Sequence, residues 1–104
     1  MLGGAIAIFF LNNSEARNLA LRKARSSRSL IERVGWPIEA GWFTGGSLEA
    51  TPGMGSADLT IPISGPKGKG AIYVVAVKAA GLWKLKLLQF GPDESSERLD
   101  LLQP

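Results

Sequence analysis

The stretch Ile61-Pro62-Ile63-Ser64-Gly65-Pro66-Lys67-Gly68-Lys69-Gly70-Ala71-Ile72-Tyr73-Val74 decides how this chain folds. Two alternating apolar runs are joined through glycine, proline and lysine, the pattern of two antiparallel strands and the turn between them. The same loop has the look of a phosphate cradle, so a structural and a functional reading compete at the same residues. A Walker-type loop needs Gly, four residues, Gly, then Lys and Ser or Thr, with a helix opening at once. Here Gly65 is followed by Gly68 and Gly70, and Lys69 is followed by neither Ser nor Thr. What comes next, Ala71-Ile72-Tyr73-Val74-Val75-Ala76-Val77, is rich in β-branched residues and favours a strand. No helix dipole is then available to hold an anion. The loop reads as a hairpin with solvated lysines, in which Gly supplies positive φ and Pro66 pre-sets the turn.

Outward from the hairpin the period stays alternating. Ala57, Leu59, Ile61 and Ile63 share one face of the second strand; Asp58, Thr60, Pro62 and Ser64 share the other. Pro62 cannot donate to a ladder, so a bulge or a free edge is expected there. The first strand falls within residues 38–51, broken at Gly45-Gly46, where a bulge is expected. The third covers about residues 70–78. Ala79-Ala80-Gly81 makes a tight hairpin into a fourth strand over residues 82–90, with Trp83, Leu85 and Leu87 on one face and Lys84 and Lys86 on the other. Gly91-Pro92-Asp93-Glu94 turns the chain, and residues 98–102 add a short fifth strand through Leu99 and Leu101.

Before Pro37 the period is helical. Asn12, Asn13 and Ser14 offer caps, and Glu15 sits in the first turn, where it complements the dipole. Ala16, Leu19, Ala20 and Ala24 recur at helical spacing, and a face so rich in alanine implies close approach to whatever it covers. Ser26-Ser27 interrupts the pattern; Leu30, Ile31 and Val34 resume it, with Ser29 and Glu32 at capping-box spacing. The reading is one helix with a break, or two, ending at Gly35 with Pro37 beyond. A one-sided sheet must cover its apolar face. The predicted fold class is therefore α+β: an N-terminal helix, whole or broken in two, on one face of a four- to five-stranded antiparallel meander. Residues 12–104 are expected to form one domain, preceded by an apolar segment at residues 1–11.

Composition narrows the chemistry. The 104 residues contain neither cysteine nor histidine. Disulfides, thiol nucleophiles, a Ser-His or Cys-His engine and a structural zinc site are thereby excluded. Catalysis would have to rest on carboxylates, lysines or Tyr73, so an enzyme is not expected, and no cofactor or metal is implied. Net charge is +3 and lopsided. Arg17, Arg22, Lys23, Arg25, Arg28 and Arg33 crowd the helical region, while Asp93, Glu94, Glu97 and Asp100 stand in the tail against Arg98.

The opening run MLGGAIAIFFL is apolar throughout but short of the roughly 20 residues of a membrane span. It lacks the positive start and cleavage site of a secretory signal. Three readings stay open: the end of a membrane helix whose first half lies upstream, a short element packed on the domain or on another copy, or the start of a mitochondrial presequence.

Several segments, taken in order, resemble one family. They are Asn13-Ser14-Glu15-Ala16, the run GWPIEAGWF from Gly35 to Phe43, the run ADLTIPISGPKGKG from Ala57 to Gly70, residues 71–83, and the closing Glu97-Arg98-Leu99-Asp100-Leu101-Leu102. Together they resemble the cytochrome oxidase complex assembly protein 1 family, which is related in fold to a small regulatory subunit of the mitochondrial presequence translocase. The resemblance covers about residues 12–102, and none of its motifs is catalytic. It implies a membrane-tethered α+β domain on the periplasmic or intermembrane-space side of an inner membrane, binding other proteins during assembly of respiratory complexes. Residues 1–11 would then be the remnant of an anchor, and the presequence reading weakens because the arginine-rich stretch falls inside the folded domain.

Three functions compete. The first is a chaperone-like, non-enzymatic, membrane-associated interaction domain that helps a cytochrome oxidase complex assemble. Its partners would be other proteins, such as respiratory-complex subunits. The second is an anion-binding module for nucleic acid or acidic lipid, using the basic helix; nucleic acid is disfavoured because the aromatic residues fall in strand or helix-end contexts suited to core packing. The third is a small-molecule carrier or enzyme built around Asp58, Glu39 and Glu49, which show no spacing suited to acid–base work. The residues assigned to partner binding are Arg22, Arg25, Arg28, Lys67 and Lys69. Membrane contact through residues 1–11 and a homo-oligomer both stay open.

Overall fold

Serines divide the N-terminal helix in two. A computed structural model describes residues 14–102, and helix α1 (Glu15–Arg25) opens on Ser14, whose Oγ accepts from the Arg17 amide at 3.0 Å. Ser26 closes α1, and Ser27 caps helix α2 (Arg28–Val34) by accepting from the Leu30 amide at 3.3 Å. The cap of α2 is therefore Ser27, two residues before the expected Ser29: the chain turns at the first serine pair, which leaves Ser29 inside the helix. Helix α2 stops at Gly35, whose φ of 84° lies in the region that favours glycine and whose amide donates to Ile31 O.

Among the described residues a six-stranded antiparallel sheet follows: β1 (Glu39–Ala40), β2 (Gly45–Ala50), β3 (Gly55–Gly65), β4 (Gly68–Ala79), β5 (Leu82–Pro92) and β6 (Leu99–Asp100). The fold class read from the sequence holds, with one more strand than the upper count. The extra strand arises because the expected first strand is two short ones, β1 and β2, both paired to the outer edge of β3. The break lies at residues 41–44 rather than at the glycine pair, which stays in the ladder opposite Thr60 and Leu59.

Pro62 explains where the break falls. The register of β3 with β4 runs without interruption through Pro62↔Ala71, so the expected bulge is absent. Pro62 O accepts from the Gly41 amide at 2.8 Å, which turns its donorless nitrogen toward the same outer edge. There the chain between β1 and β2 swings away and asks for no hydrogen bond. A proline is thus tolerated inside a long strand at the position where its neighbour leaves the sheet.

The hairpin that decides the fold forms, but Gly65, Gly68 and Gly70 do not take the positive φ expected of them, and Lys67 is bonded rather than simply solvated. Gly65 pairs with Gly68 across a turn at Pro66 and Lys67. Its tip docks on the end of α2: the Lys67 amide donates to Val34 O at 2.7 Å and its Nζ to Glu32 O at 2.8 Å. A Cβ on Gly65 would lie 2.3 Å from Val34 O, so glycine permits this approach. The second hairpin turns through Ala80 (φ 52°) and Gly81 (φ 79°), the double positive φ of a type I′ connection. Alanine is strained there. Ala80→Gly is expected to raise stability by about 1 kcal/mol, or about 4 °C in thermal melting. An unchanged or lower midpoint would show that the turn carries no such strain.

The core lies between the helices and one face of the sheet. Ala16, Ala20 and Ala24 of α1 are fully buried, as the alanine-rich face implied, and α1 packs chiefly on β5. Leu30 and Val34 of α2 join these alanines, and beneath the two helices sit Leu59, Ile61, Ile72, Val74, Leu88 and Phe90. The β4–β5 register slips between Val75 and Ala76, where Val75 faces Leu87 and Ala76 faces Leu85, so Lys86 is the extra residue of a bulge. The slip reverses the alternation. Trp83 and Leu85 share the helix-covered face with Leu88 and Phe90, whereas Leu87 lies on the opposite face beside Val75, which corrects the grouping of Trp83, Leu85 and Leu87.

The core is aliphatic apart from Phe90. Trp36 and Trp42 are exposed, contrary to the core role expected of them; Tyr73 is half-buried, and Trp83 is half-buried and packed against the core. Residues 1–11, with the three readings attached to them, lie outside the described residues.

Candidate functional site

The five residues assigned to partner binding divide into separate places. Arg22 and Arg25 lie on α1 with Arg17, and these three arginines line a depression of about 630 Å³ closed by Leu21 and by Glu39 and Ala40 of β1. Helical spacing puts Arg25 one turn beyond Leu21 and two beyond Arg17, so the guanidinium groups collect along one flank. Arg28 starts α2 and is exposed. Lys67 and Lys69 belong to the hairpin and line a second depression of about 310 Å³ with Arg33, Asp93 and Glu94.

Electrostatics separates the two depressions. In the first, Arg17 Nε donates to the Oγ1 of the fully buried Thr44 at 2.8 Å, and Arg25 Nε donates to Ile38 O at 3.1 Å. Each guanidinium is anchored through one nitrogen to a neutral group. Burial first, and the like charge of Arg25 second, hold the Arg17 pKa below its ordinary value. Among the described residues none of Arg17, Arg22 and Arg25 forms an ion pair with a carboxylate. Of the described residues on the lining, Glu39 is the one carboxylate, so a net positive charge is gathered there that one acid only partly offsets.

In the second depression, Asp93 and Glu94 offset the lysines, and Lys67 is committed to the last carbonyls of α2, where a cation complements the dipole. Beside it Arg33 makes a two-pronged ion pair with Glu97, at 2.8 and 2.9 Å. That bonding draws the exposed Glu97 carboxyl below its usual range and raises Arg33. The acidic tail is thus folded back onto the basic helices, which reduces the lopsidedness expected from the sequence.

A third depression, about 340 Å³, lies along the other flank of α1, between Glu15, Asn18, Leu19 and Arg22 and the half-buried Trp83 of β5. Sequence reading placed Trp83 and Leu85 on one face, as the structure does, but did not place Trp83 at the flank of α1. The available signal was the alternation of lysine with Trp83, Leu85 and Leu87, a composition typical of a sheet edge.

Asp58, Glu39 and Glu49 are exposed and stand at separate positions on β3, β1 and β2. Among the described residues no group of three His, Cys, Asp or Glu side chains is placed to hold a metal ion, and no helix is long and apolar enough to cross a membrane.

Compared with known proteins, residues 3–103 match the family model described as cytochrome oxidase complex assembly protein 1. No curated protein and no solved structure matches the chain.

Proposed function

The chain belongs to the cytochrome oxidase complex assembly protein 1 family, and from that premise we propose that it is a non-enzymatic interaction domain that helps a cytochrome oxidase complex assemble. The observation that carries this reading is the extent of the match, which takes in nearly the whole chain. A sequence without histidine or cysteine supports the non-enzymatic part. Residues 12–104 act as one domain, and the apolar residues 1–11 bring it to an inner membrane, on the periplasmic or intermembrane-space side. Arg22 and Arg25, with Arg17 behind them, offer a partner the net positive charge of the first depression. Arg28, Lys67 and Lys69 contribute less, because they stand apart and Lys67 is already engaged.

The test is capture from detergent-solubilised membranes with the full chain as bait. An oxidase subunit should be recovered above background, and Arg22→Glu with Arg25→Glu should reduce its recovery several-fold. Recovery of no oxidase subunit refutes the proposal.

A second reading is favoured by the same unpaired arginines: the depression takes an acidic lipid headgroup. Binding to anionic vesicles at low salt, falling steeply as salt rises, is the result it requires. No binding to such vesicles at low salt eliminates it.

A further inference from the structure

Strand β5 carries an edge that the fold leaves open. It pairs with β4 along its length, from Gly70↔Pro92 to Ala79↔Leu82. On its other side it meets β6 only through Gln89↔Asp100 and Phe90↔Leu99, extended by the Leu101 amide donating to Leu88 O at 2.8 Å. Over residues 82–87 that outer edge meets no strand among the described residues. Backbone donors and acceptors require partners, and a free edge is a template for another strand. The open length suits a strand of ordinary size, about 5–6 residues.

The two sides of this edge differ in chemistry. On the helix side lie Trp83 and Leu85, half-buried, with Leu19 of α1 across the third depression. On the other side Lys84 lies opposite Val77, with Leu82 and Leu87 on the same face, and Lys86 stands out at the bulge; both lysines are exposed. Leu82, at the start of the strand, is 75% exposed. A strand laid against residues 82–87 would send alternate side chains to these two sides. One set would meet Trp83, Leu85 and Leu19, and the other would meet Lys84 and Lys86 with Leu82 and Leu87 beside them.

We propose that this edge, with the groove beside α1, binds an extended segment of another protein in which apolar and acidic residues alternate, and that the segment joins the sheet as an added strand beside β5. The mode is β-strand addition, in which main-chain bonds give affinity and alternate side chains give specificity. Charge argues against a second copy of this chain as occupant. Two β5 edges paired about a two-fold axis would set Lys84 and Lys86 of one copy against those of the other, and like charges across a ladder are destabilising. Lysines and a bulge commonly blunt an edge. Here they blunt it toward like copies while leaving an aromatic groove that an acidic strand can use. The proposal rests on the reading of the chain as an interaction domain, but its test needs no oxidase subunit.

The experiment uses the full chain and a fluorescein-labelled synthetic peptide of alternating valine and glutamate, about eight residues long. Binding is read by fluorescence anisotropy, and the location by amide hydrogen exchange. The expected result is saturable binding that slows exchange within residues 82–87. The same peptide N-methylated at alternate amides should not bind, since it cannot complete a ladder. Lys84→Glu with Lys86→Glu should weaken the valine–glutamate peptide at least about tenfold and admit a valine–lysine peptide. The N-methyl comparison is made on the unaltered chain, so it decides even if the double variant fails to fold.

Several outcomes overturn the proposal: no binding, equal binding of the N-methylated peptide, or protection elsewhere. So does exchange at residues 82–87 that is already slow in the free chain. If that slowness is independent of concentration, the chain's own residues cover the edge; if it grows with concentration, a second copy does. Peptide binding without oxidase capture would refute the proposed assembly role and leave the edge assignment standing. Oxidase capture without peptide binding would do the reverse.

Discussion

Phe90→Ala is expected to lower the unfolding free energy by about 3–5 kcal/mol. The ring is 1% exposed, on the helix-covered face of β5 opposite Ile72. It fills the space where the end of α2, the Lys67 hairpin and β5 converge, beside Val34 and Pro92. The neighbouring strand makes room for it: a Cβ on Gly70 would stand 2.8 Å from Phe90 Cε1 and 2.2 Å from Gly91 O. Truncation removes the largest fully buried side chain and leaves a cavity framed by backbone that cannot collapse inward without breaking the β4–β5 ladder. A small domain has about 5–15 kcal/mol in total, so the variant should be marginal at room temperature. Urea unfolding checks this as a fall in midpoint with an unchanged slope. A loss below about 1 kcal/mol, the scale of a surface change, would place Phe90 outside the core.

The parts of the fold legible in the sequence are those governed by local chemistry. Gly65 and Gly68 with Pro66 between them can only make a turn, and the β-branched run after Gly70 can only continue as a strand, so the central hairpin was readable. The Ser26-Ser27 interruption marked the helix break for the same reason, because serine competes for backbone bonds at helix ends. What was hidden depended on partners distant in sequence. Pro62 looked like a defect until the path of residues 41–44 removed the bond it could not make. Lys67 looked like a surface cation until the end of α2 supplied carbonyls for it. Helical spacing placed Arg17, Arg22 and Arg25 on one element, but the burial of Arg17 against Thr44 required β1 and the segment after it, residues 41–44, to fold against the helix flank. The exposure of Trp36 and Trp42 had no signal in their own neighbourhoods, since Trp36 sits at a helix end and Trp42 in a run read as a strand, both contexts that suit packing.

The bulge in β5 is the case where one unpaired residue changes the meaning of its neighbours, and a pair of substitutions tests it. Strict alternation would put Leu85 and Leu87 on one face, so aspartate at either should be equally harmful. The observed register puts only Leu85 on the helix-covered face, opposite Ala76 and packed against the core; Leu87 lies opposite Val75 on the face that no helix covers among the described residues. Leu85→Asp forfeits apolar burial of about 1.5 kcal/mol or more and forces a carboxylate beside α1, where burial of an unpaired charge costs several kcal/mol more. The expected result is loss of the cooperative melt, or a midpoint lowered by more than about 15 °C, on the scale of about 4 °C or more per kcal/mol. Leu87→Asp places its charge at a half-buried position on the uncovered face next to Lys86, where water can still reach it, and costs about 1 kcal/mol. Thermal melts followed by circular dichroism distinguish the two. Equal destabilisation would mean that both leucines face the helices and that Lys86 sits in an unbroken ladder. A harmless Leu85→Asp would mean that α1 does not cover β5, which would also remove one wall of the groove proposed to receive an added strand.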